Sequence, residues 1–397
     1  MKKIILIALT LLANMHIFGQ SQEEFSAMLT ELNGDSMQAT IAALQQYQRC
    51  VYFGNRDAAQ YLVDKMQQIG LQNVKIDSFY LWENNVHYYN VRGSIFGSAA
   101  PDSIVLVGAH YDKLTLGTDG DTLLTLSGGV DNNAAGVALI LEVARVLKAH
   151  QFAPRTTVEF IALDAYEMEM LGSFMDAAER TPHQEIVKLM LNNDRVAYDP
   201  QNLHMMTILW YENSMQERSD ATLMMENFSQ LLPIMMDVAG NLPESQAGDA
   251  YPYASYGYPA VFFRESTLSP YHHTLEDQLE NCNLDNVVEL AKVNLAMIIH
   301  YAFHDVFSLS DGIASHQKTN LEVSPNPTTG AIRIKLAEDS DHEILVKVFD
   351  IQGQLLSCQT IVSSSPIISM EALPAGLYLL KAYDGDKMIG ISKIVRQ

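Results

Sequence analysis

Basic residues are scarce in this chain. Its 397 residues include 25 Lys and Arg against 47 Asp and Glu, a formal net charge of −22. Nucleic-acid binding needs a basic face, so that class is excluded. The acidic surface favours solubility and weakly attracts cationic peptides. Cysteine is nearly missing: Cys50, Cys282 and Cys358 are the only three. So few cannot form a disulfide framework. They leave either a Cys50–Cys282 bridge or three free thiols. Beyond the N-terminus no stretch reaches the ~18 apolar residues of a membrane span, so none is expected in the mature chain. No internal repeat is visible. What remains is an ordinary globular composition, 48% hydrophobic and 18% charged, with length enough for more than one domain.

Residues 1–20 read as a signal peptide. Lys2 and Lys3 form the charged start, Ile4 to Ala13 the apolar stretch, and Phe18 to Gln20 the cleavage region. The mature protein is therefore expected to be soluble and exported. Residues 21–306 form the main domain, and 307–320, rich in small polar residues, a linker. Beyond it come short alternating segments at 332–336, 344–349, 354–357, 376–381 and 388–395, with a turn at 350–353. Short strands punctuated by turn signals predict a small all-β sandwich over 321–397.

In the main domain, Ser103–Ala109 and Thr156–Leu163 are near-continuous apolar runs, suited to strands buried on both faces. Between them, Val137, Leu139, Ile140, Val143, Ala144 and Leu147 mark the apolar face of a helix over 133–149. A further helix is expected over 286–303. Alternating strands and helices predict an α/β fold, a mostly parallel central sheet sandwiched by helices. Functional groups then gather at the carboxyl ends of the strands.

Five metal-binding side chains fall where such ends are expected. They are His110 in Val-Gly-Ala-His-Tyr-Asp, Asp131 in Gly-Gly-Val-Asp-Asn-Asn-Ala-Ala-Gly, Glu167 in Ala-Tyr-Glu-Met, Asp194 in Asn-Asn-Asp-Arg and His273 in Tyr-His-His-Thr-Leu-Glu-Asp. Two imidazoles and three carboxylates can hold two zinc ions if one carboxylate bridges them, each ion keeping an open position for water. The gaps between the five are too wide for a local metal clip and let each ligand come from a different strand end. Asp112 and Asp277 lie two and four residues after His110 and His273, where they could orient imidazoles as outer acceptors.

These segments resemble the co-catalytic di-zinc aminopeptidase family, whose relatives include the glutaminyl cyclases. The resemblance spans roughly residues 40–305. It implies a zinc-exopeptidase-like fold, two Zn2+ ions and a peptide substrate that loses its N-terminal residue. It also implies an arrangement of ligands: His110 and Asp194 on one zinc, Glu167 and His273 on the other, Asp131 bridging. A non-proline cis peptide is implied after Asp131. The Thr following His273 fits the family motif and selects His273 over His272.

One position departs from the family. Where it reads Ala-Glu-Glu, with the first Glu the general base, this chain reads Ala165-Tyr166-Glu167. A phenol titrates near ~10 and is a donor at neutral pH. Glu169, two residues beyond the ligand, points to a different side if the segment is helical. Three readings follow. The first is a secreted di-zinc exopeptidase of aminopeptidase type, impaired at Tyr166. The second is a zinc-binding pseudopeptidase that binds a peptide or a partner without turnover. The third is a glutaminyl-cyclase-like transferase, a class that uses a single zinc.

The tail carries its own resemblance. Ser324-Pro-Asn-Pro-Thr-Thr-Gly330, Val348-Phe-Asp-Ile-Gln-Gly-Gln-Leu355, Leu373-Pro-Ala-Gly-Leu-Tyr378 and Lys393-Ile-Val-Arg396 are similar to the C-terminal sorting domain of the type IX secretion system of the Bacteroidetes. This implies recognition by that machinery and a secreted or cell-surface destination, after export through the periplasm.

Overall fold

The computed structural model describes residues 22–303 and 321–397, apart from 54, 83–84, 184, 236–247, 336–343, 350–354, 363–365 and 385–386. The expected signal peptide, the 307–320 linker and the 350–353 turn lie outside the described residues. The chain divides into two compact units.

The first unit runs through α1 Gln22–Glu31, α2 Gly34–Leu44, α3 Arg56–Ile69, β1 Gln72–Leu81, β2 Val86–Ile95, β3 Ala100–His110, α4 Ala135–Ala149, β4 Thr156–Leu163, α5 Leu171–Arg180 and β5 Ile186–Asn193. It continues with β6 Met205–Trp210, α6 Met215–Phe228, β7 Leu232–Met235, α7 Ala250–Ser255, β8 Ala260–Glu265 and α8 Leu284–Phe303. The eight strands form one sheet in the order β1-β2-β4-β3-β5-β8-β6-β7. Neighbours from β4 through β3 and β5 to β8 run parallel, as do β6 and β7. The joins β1/β2, β2/β4 and β6/β8 are antiparallel. The sheet is therefore mixed, with its parallel centre where the near-continuous apolar runs lie.

Burial follows that pattern. Every residue of β4 is buried. Helix α4 is apolar nearly all round because it packs on β3 and between α2 and α8. Asn33 caps α2, its side chain accepting the amides of Asp35 and Ser36. Gly70 ends α3 at φ 90°, a left-handed position that glycine takes without penalty. Tyr253, Phe262 and Phe263 are core residues. Trp210 ends β6 beneath Arg218, whose guanidinium lies 4.4 Å over the ring. Trp82, at the end of β1, is 83% exposed. Cys50, Cys282 and Cys358 are each free, the second of the two arrangements considered.

The second unit holds β9 Glu322–Ser324, β10 Ala331–Lys335, β11 Ile344–Phe349, β12 Leu355–Ile361, β13 Ile367–Ser369, β14 Gly376–Asp384 and β15 Lys387–Arg396. They form two antiparallel sheets, β13-β10-β9 and β12-β11-β14-β15. Ile332, Ile334, Val346, Val348, Leu380 and Ile394 give this small β-sandwich a core of its own. Among the described residues no helix is long and apolar enough to cross a membrane.

Candidate metal centre

The carboxyl ends of β4, β3 and β5 meet at one edge of the sheet. His110 is the last residue of β3, Glu167 follows β4, and Asp194 follows β5. Fully buried His110 sets Nε2 3.1 Å from Asp194 Oδ1 and Nδ1 3.2 Å from the Asp112 carbonyl. His273, from the loop after β8, sets Nε2 3.0 Å from Glu167 Oε1. These four residues thus form two pairs. His110 and Asp194 are sealed from solvent, whereas the His273 side chain is 23% exposed and that of Glu167 6%.

Asp131 makes no hydrogen bond to any of the four. Its Oδ1 accepts the Ala197 amide at 2.7 Å, and its carboxyl hydrogen-bonds that of Glu265. The side chain that reaches the pairs is Asn132, whose Nδ2 donates to Glu167 Oε1 at 2.7 Å. The reason is local. Asn132 has φ −112° and ψ 82°, outside the helical region, so α4 has not yet begun there. Asp277 grips the amides of both Asp131 and Asn132, and with the chain held this way it is the Asn132 side chain that meets Glu167. The side chain that meets Glu167 is thus a neutral amide, where a bridging carboxylate was expected. The non-proline cis peptide also lies one residue later than expected, between Asn132 and Asn133.

Tyr166 lies flat on His110, ring centroids 3.9 Å apart and planes 14° from parallel. Burial, and then Asp194, push its phenol well above its ordinary value, so it stays a neutral donor. Glu169 is exposed at φ 58° and is not among the groups gathered here. Arg195 brings a guanidinium to the sealed pair, Nε 3.5 Å from Asp194 Oδ2. Burial raises the Asp194 carboxyl, but Arg195 and His110 outweigh it and hold it below the usual range. Asn132 Oδ1 and Asp194 Oδ2 are buried without a hydrogen-bond partner.

Asp112 and Asp277 hold backbone as well as, or instead of, imidazoles. Asp112 accepts the amides of Tyr166 and Glu167, each at 3.0 Å, and is 3.5 Å from His110 Nδ1. Asp277 accepts the amides of Asp131 and Asn132 at 2.7 and 3.1 Å; no hydrogen bond joins it to His273. Buried Arg49 donates to the carbonyls of Tyr111 and Gly129, tying both approaches to the site together. Neither Arg49 nor Arg195 was singled out by sequence pattern. The only signal for Arg195 is a cation next to a candidate ligand.

His272, set aside in favour of His273 by the motif, lies at the site as well. Its ring stacks on His273 with centroids 3.7 Å apart. Burial, His273 and Arg195 lower its pKa to about 3, so the imidazole is neutral. Glu167, His272 and His273 each offer a ligand atom, all within 4.8 Å of one another.

Relatives share this fold and sequence. Residues 90–298 match peptidase family M28, and residues 322–397 match the secretion system C-terminal sorting domain. A probable leucine aminopeptidase of Trichophyton verrucosum is 24% identical over 286 residues, covering 69% of this chain and 74% of that protein. The LapA aminopeptidase of Legionella pneumophila superposes with a TM-score of 0.60 at 20% identity, covering 71% of this chain and 74% of its own. A glutaminyl cyclase of Bacteroides thetaiotaomicron, bound to N-acetylhistamine, superposes at 0.55 with 15% identity, covering 68% and 98%. At such identities the superpositions speak for the fold alone. The match to the family extends over more than half of the sequence, and the chain belongs to peptidase family M28, its peptidase region followed by a type IX C-terminal sorting domain.

Proposed function

We propose that this protein is an exported, zinc-binding member of the aminopeptidase-type family that holds peptide amino-termini with impaired turnover. The observation that carries the reading is Tyr166. The resemblance puts the general base at this position, and a neutral phenol stacked on His110 occupies it. A positioned general base contributes ~10²–10⁴-fold, so its loss leaves binding without comparable chemistry.

Zinc is the metal that family membership implies. A carboxylate and two imidazoles with convergent ligand atoms, Glu167, His272 and His273, fit it. When bound, zinc polarises a carbonyl and acidifies a water. The two zinc ions implied by the resemblance need a carboxylate between the pairs, and Asn132 offers a neutral amide there. The sorting domain supports delivery to the cell surface or medium by the type IX machinery, after passage through the periplasm.

A glutaminyl-cyclase-like transferase is the second reading, favoured by the missing bridging carboxylate. Cyclisation of an N-terminal Gln peptide tests it. The main test is steady-state hydrolysis of aminoacyl p-nitroanilides by wild type, Tyr166→Glu and Tyr166→Glu/Asn132→Asp, with zinc content measured on each. Wild type is expected to bind zinc and hydrolyse weakly. Tyr166→Glu is expected to raise kcat by ~10²-fold or more. Robust wild-type turnover, unaffected by Tyr166→Phe, would overturn the proposal.

A further inference from the structure

We infer that this protein binds one metal ion, held by Glu167, His272 and His273, and that Arg195 stands in for the second. The inference rests on the metal-binding half of the reading above and is indifferent to turnover.

The first argument is the donor set. Glu167 Oε1 and His273 Nε2 are already 3.0 Å apart, and His272 brings a third ligand atom into the same 4.8 Å span. Three protein ligands with carboxylate and imidazole donors suit a four-coordinate zinc with one position left for solvent. All three residues are partly exposed, so an ion and its water can enter and leave. His273 is held at φ 61°, a left-handed conformation that a non-glycine residue adopts only when its surroundings enforce it. That turn brings two adjacent imidazoles to one carboxylate.

The second argument is charge. A pair of dications a few ångströms apart repel strongly, and a shared carboxylate is what offsets this. Here the group beside Glu167 is the uncharged Asn132, and Asp131 is bonded to Glu265 and to the Ala197 amide. Asp194 already has a fixed cation in Arg195. His110 and Asp194 are also closed to solvent, with Tyr166 stacked on the imidazole. A second dication placed there would meet a guanidinium and one carboxylate, without a bridge. The buried Oδ atoms of Asn132 and Asp194 that lack partners are places for water.

The test is zinc stoichiometry and affinity on the full mature chain, by mass spectrometry after dialysis and by calorimetric titration. A parallel cobalt(II) titration reads coordination from its visible absorption. Wild type should take up one equivalent, and the cobalt spectrum should saturate there with tetrahedral intensity. His272→Ala should weaken zinc binding by at least ~100-fold, beyond the ~10–100-fold typical for losing an outer partner. His272→Asp, which keeps a ligand atom, should recover much of it, separating loss of a ligand from loss of fold. Asp194→Asn/Arg195→Met removes the Asp194 charge and the guanidinium beside it together and should leave one equivalent bound. Two equivalents in wild type, wild-type affinity in His272→Ala, or loss of the ion in the double variant would each overturn this inference alone. Wild type that binds no zinc would overturn the metal-binding reading as well.

Discussion

Asp131 and Glu265 face each other in the interior with too few donors for two charges. Asp131 accepts the Ala197 amide, Glu265 the amides of Ser269 and Tyr198, and one proton must lie between the carboxyls. Burial raises both above the ordinary carboxylate range, with Asp277 adding to the rise of Asp131 and Asp131 to that of Glu265. The folded state therefore holds more protons than the unfolded chain, and stability falls as pH climbs through and above that range. Asp131→Asn keeps an acceptor for Ala197 and gives Glu265 a permanent donor. It should flatten the decline, raising Tm at pH 8 by about 2–4 °C, the shift expected for ~1 kcal/mol in a domain of this size. Scanning calorimetry of both proteins at pH 5 and pH 8 checks this; equal slopes with pH would show that the pair carries no extra proton. Asp131 also marks how far residue types could be read. Asp131, Asn132 and Asn133 share one motif, and spacing cannot say which of three adjacent polar side chains faces in. That depends on the extended backbone at Asn132 and on Asp277 gripping two amides from 146 and 145 residues away in sequence.

Strands and helices were more legible than single side chains. The apolar run Thr156–Leu163 is β4 with the same limits, and its neighbours place His110, Glu167 and Asp194 at one edge, as strand ends should. Helix α4 begins two residues later than expected, because Asn133 is still outside the helical region at φ −145°. Left-handed turns at Ala165, Glu169, Met170, Arg195 and His273 were not legible, since none is glycine. They are enforced by packing around the site rather than by local preference. The start of α5 shows how tight that packing is. A Cβ at Gly172 would run into the Asp164 carbonyl and would also fall 2.7 Å from Asn90 Oδ1. Asp164 is itself fully engaged, accepting from Asn55, Tyr89, Tyr111 and Ala165. Gly172→Ala must displace this network, and a loss of about 1–3 kcal/mol is expected, as for an overpacked core. Urea unfolding should show a lower midpoint at an unchanged slope. An unchanged midpoint would mean that the α5 entry yields freely.

At the scale of the molecule, each unit closes its own hydrophobic core: one around α4, α8 and the eight-stranded sheet, the other around Ile332, Val346 and Leu380. Removing 321–397 is expected to leave a folded, zinc-binding protein whose Tm changes by no more than a few degrees, because the described residues of each unit close a core of their own. The truncated protein should no longer reach the cell surface or medium. A truncated chain without a cooperative melt would show that the tail is needed for folding. The two tryptophans give this question an optical handle. Trp82 and Trp210 both belong to the first unit, and the sandwich has none, so emission excited at the red edge reports one half of the intact molecule. Trp82 stands in water and should emit at long wavelength and be quenched by iodide. Trp210, shielded beneath Arg218, should emit further to the blue and resist quenching until the first unit opens. Tyrosine emission and far-ultraviolet dichroism sum over both units. The difference between those signals and the tryptophan signal therefore isolates the melting of the sorting domain without cutting the chain.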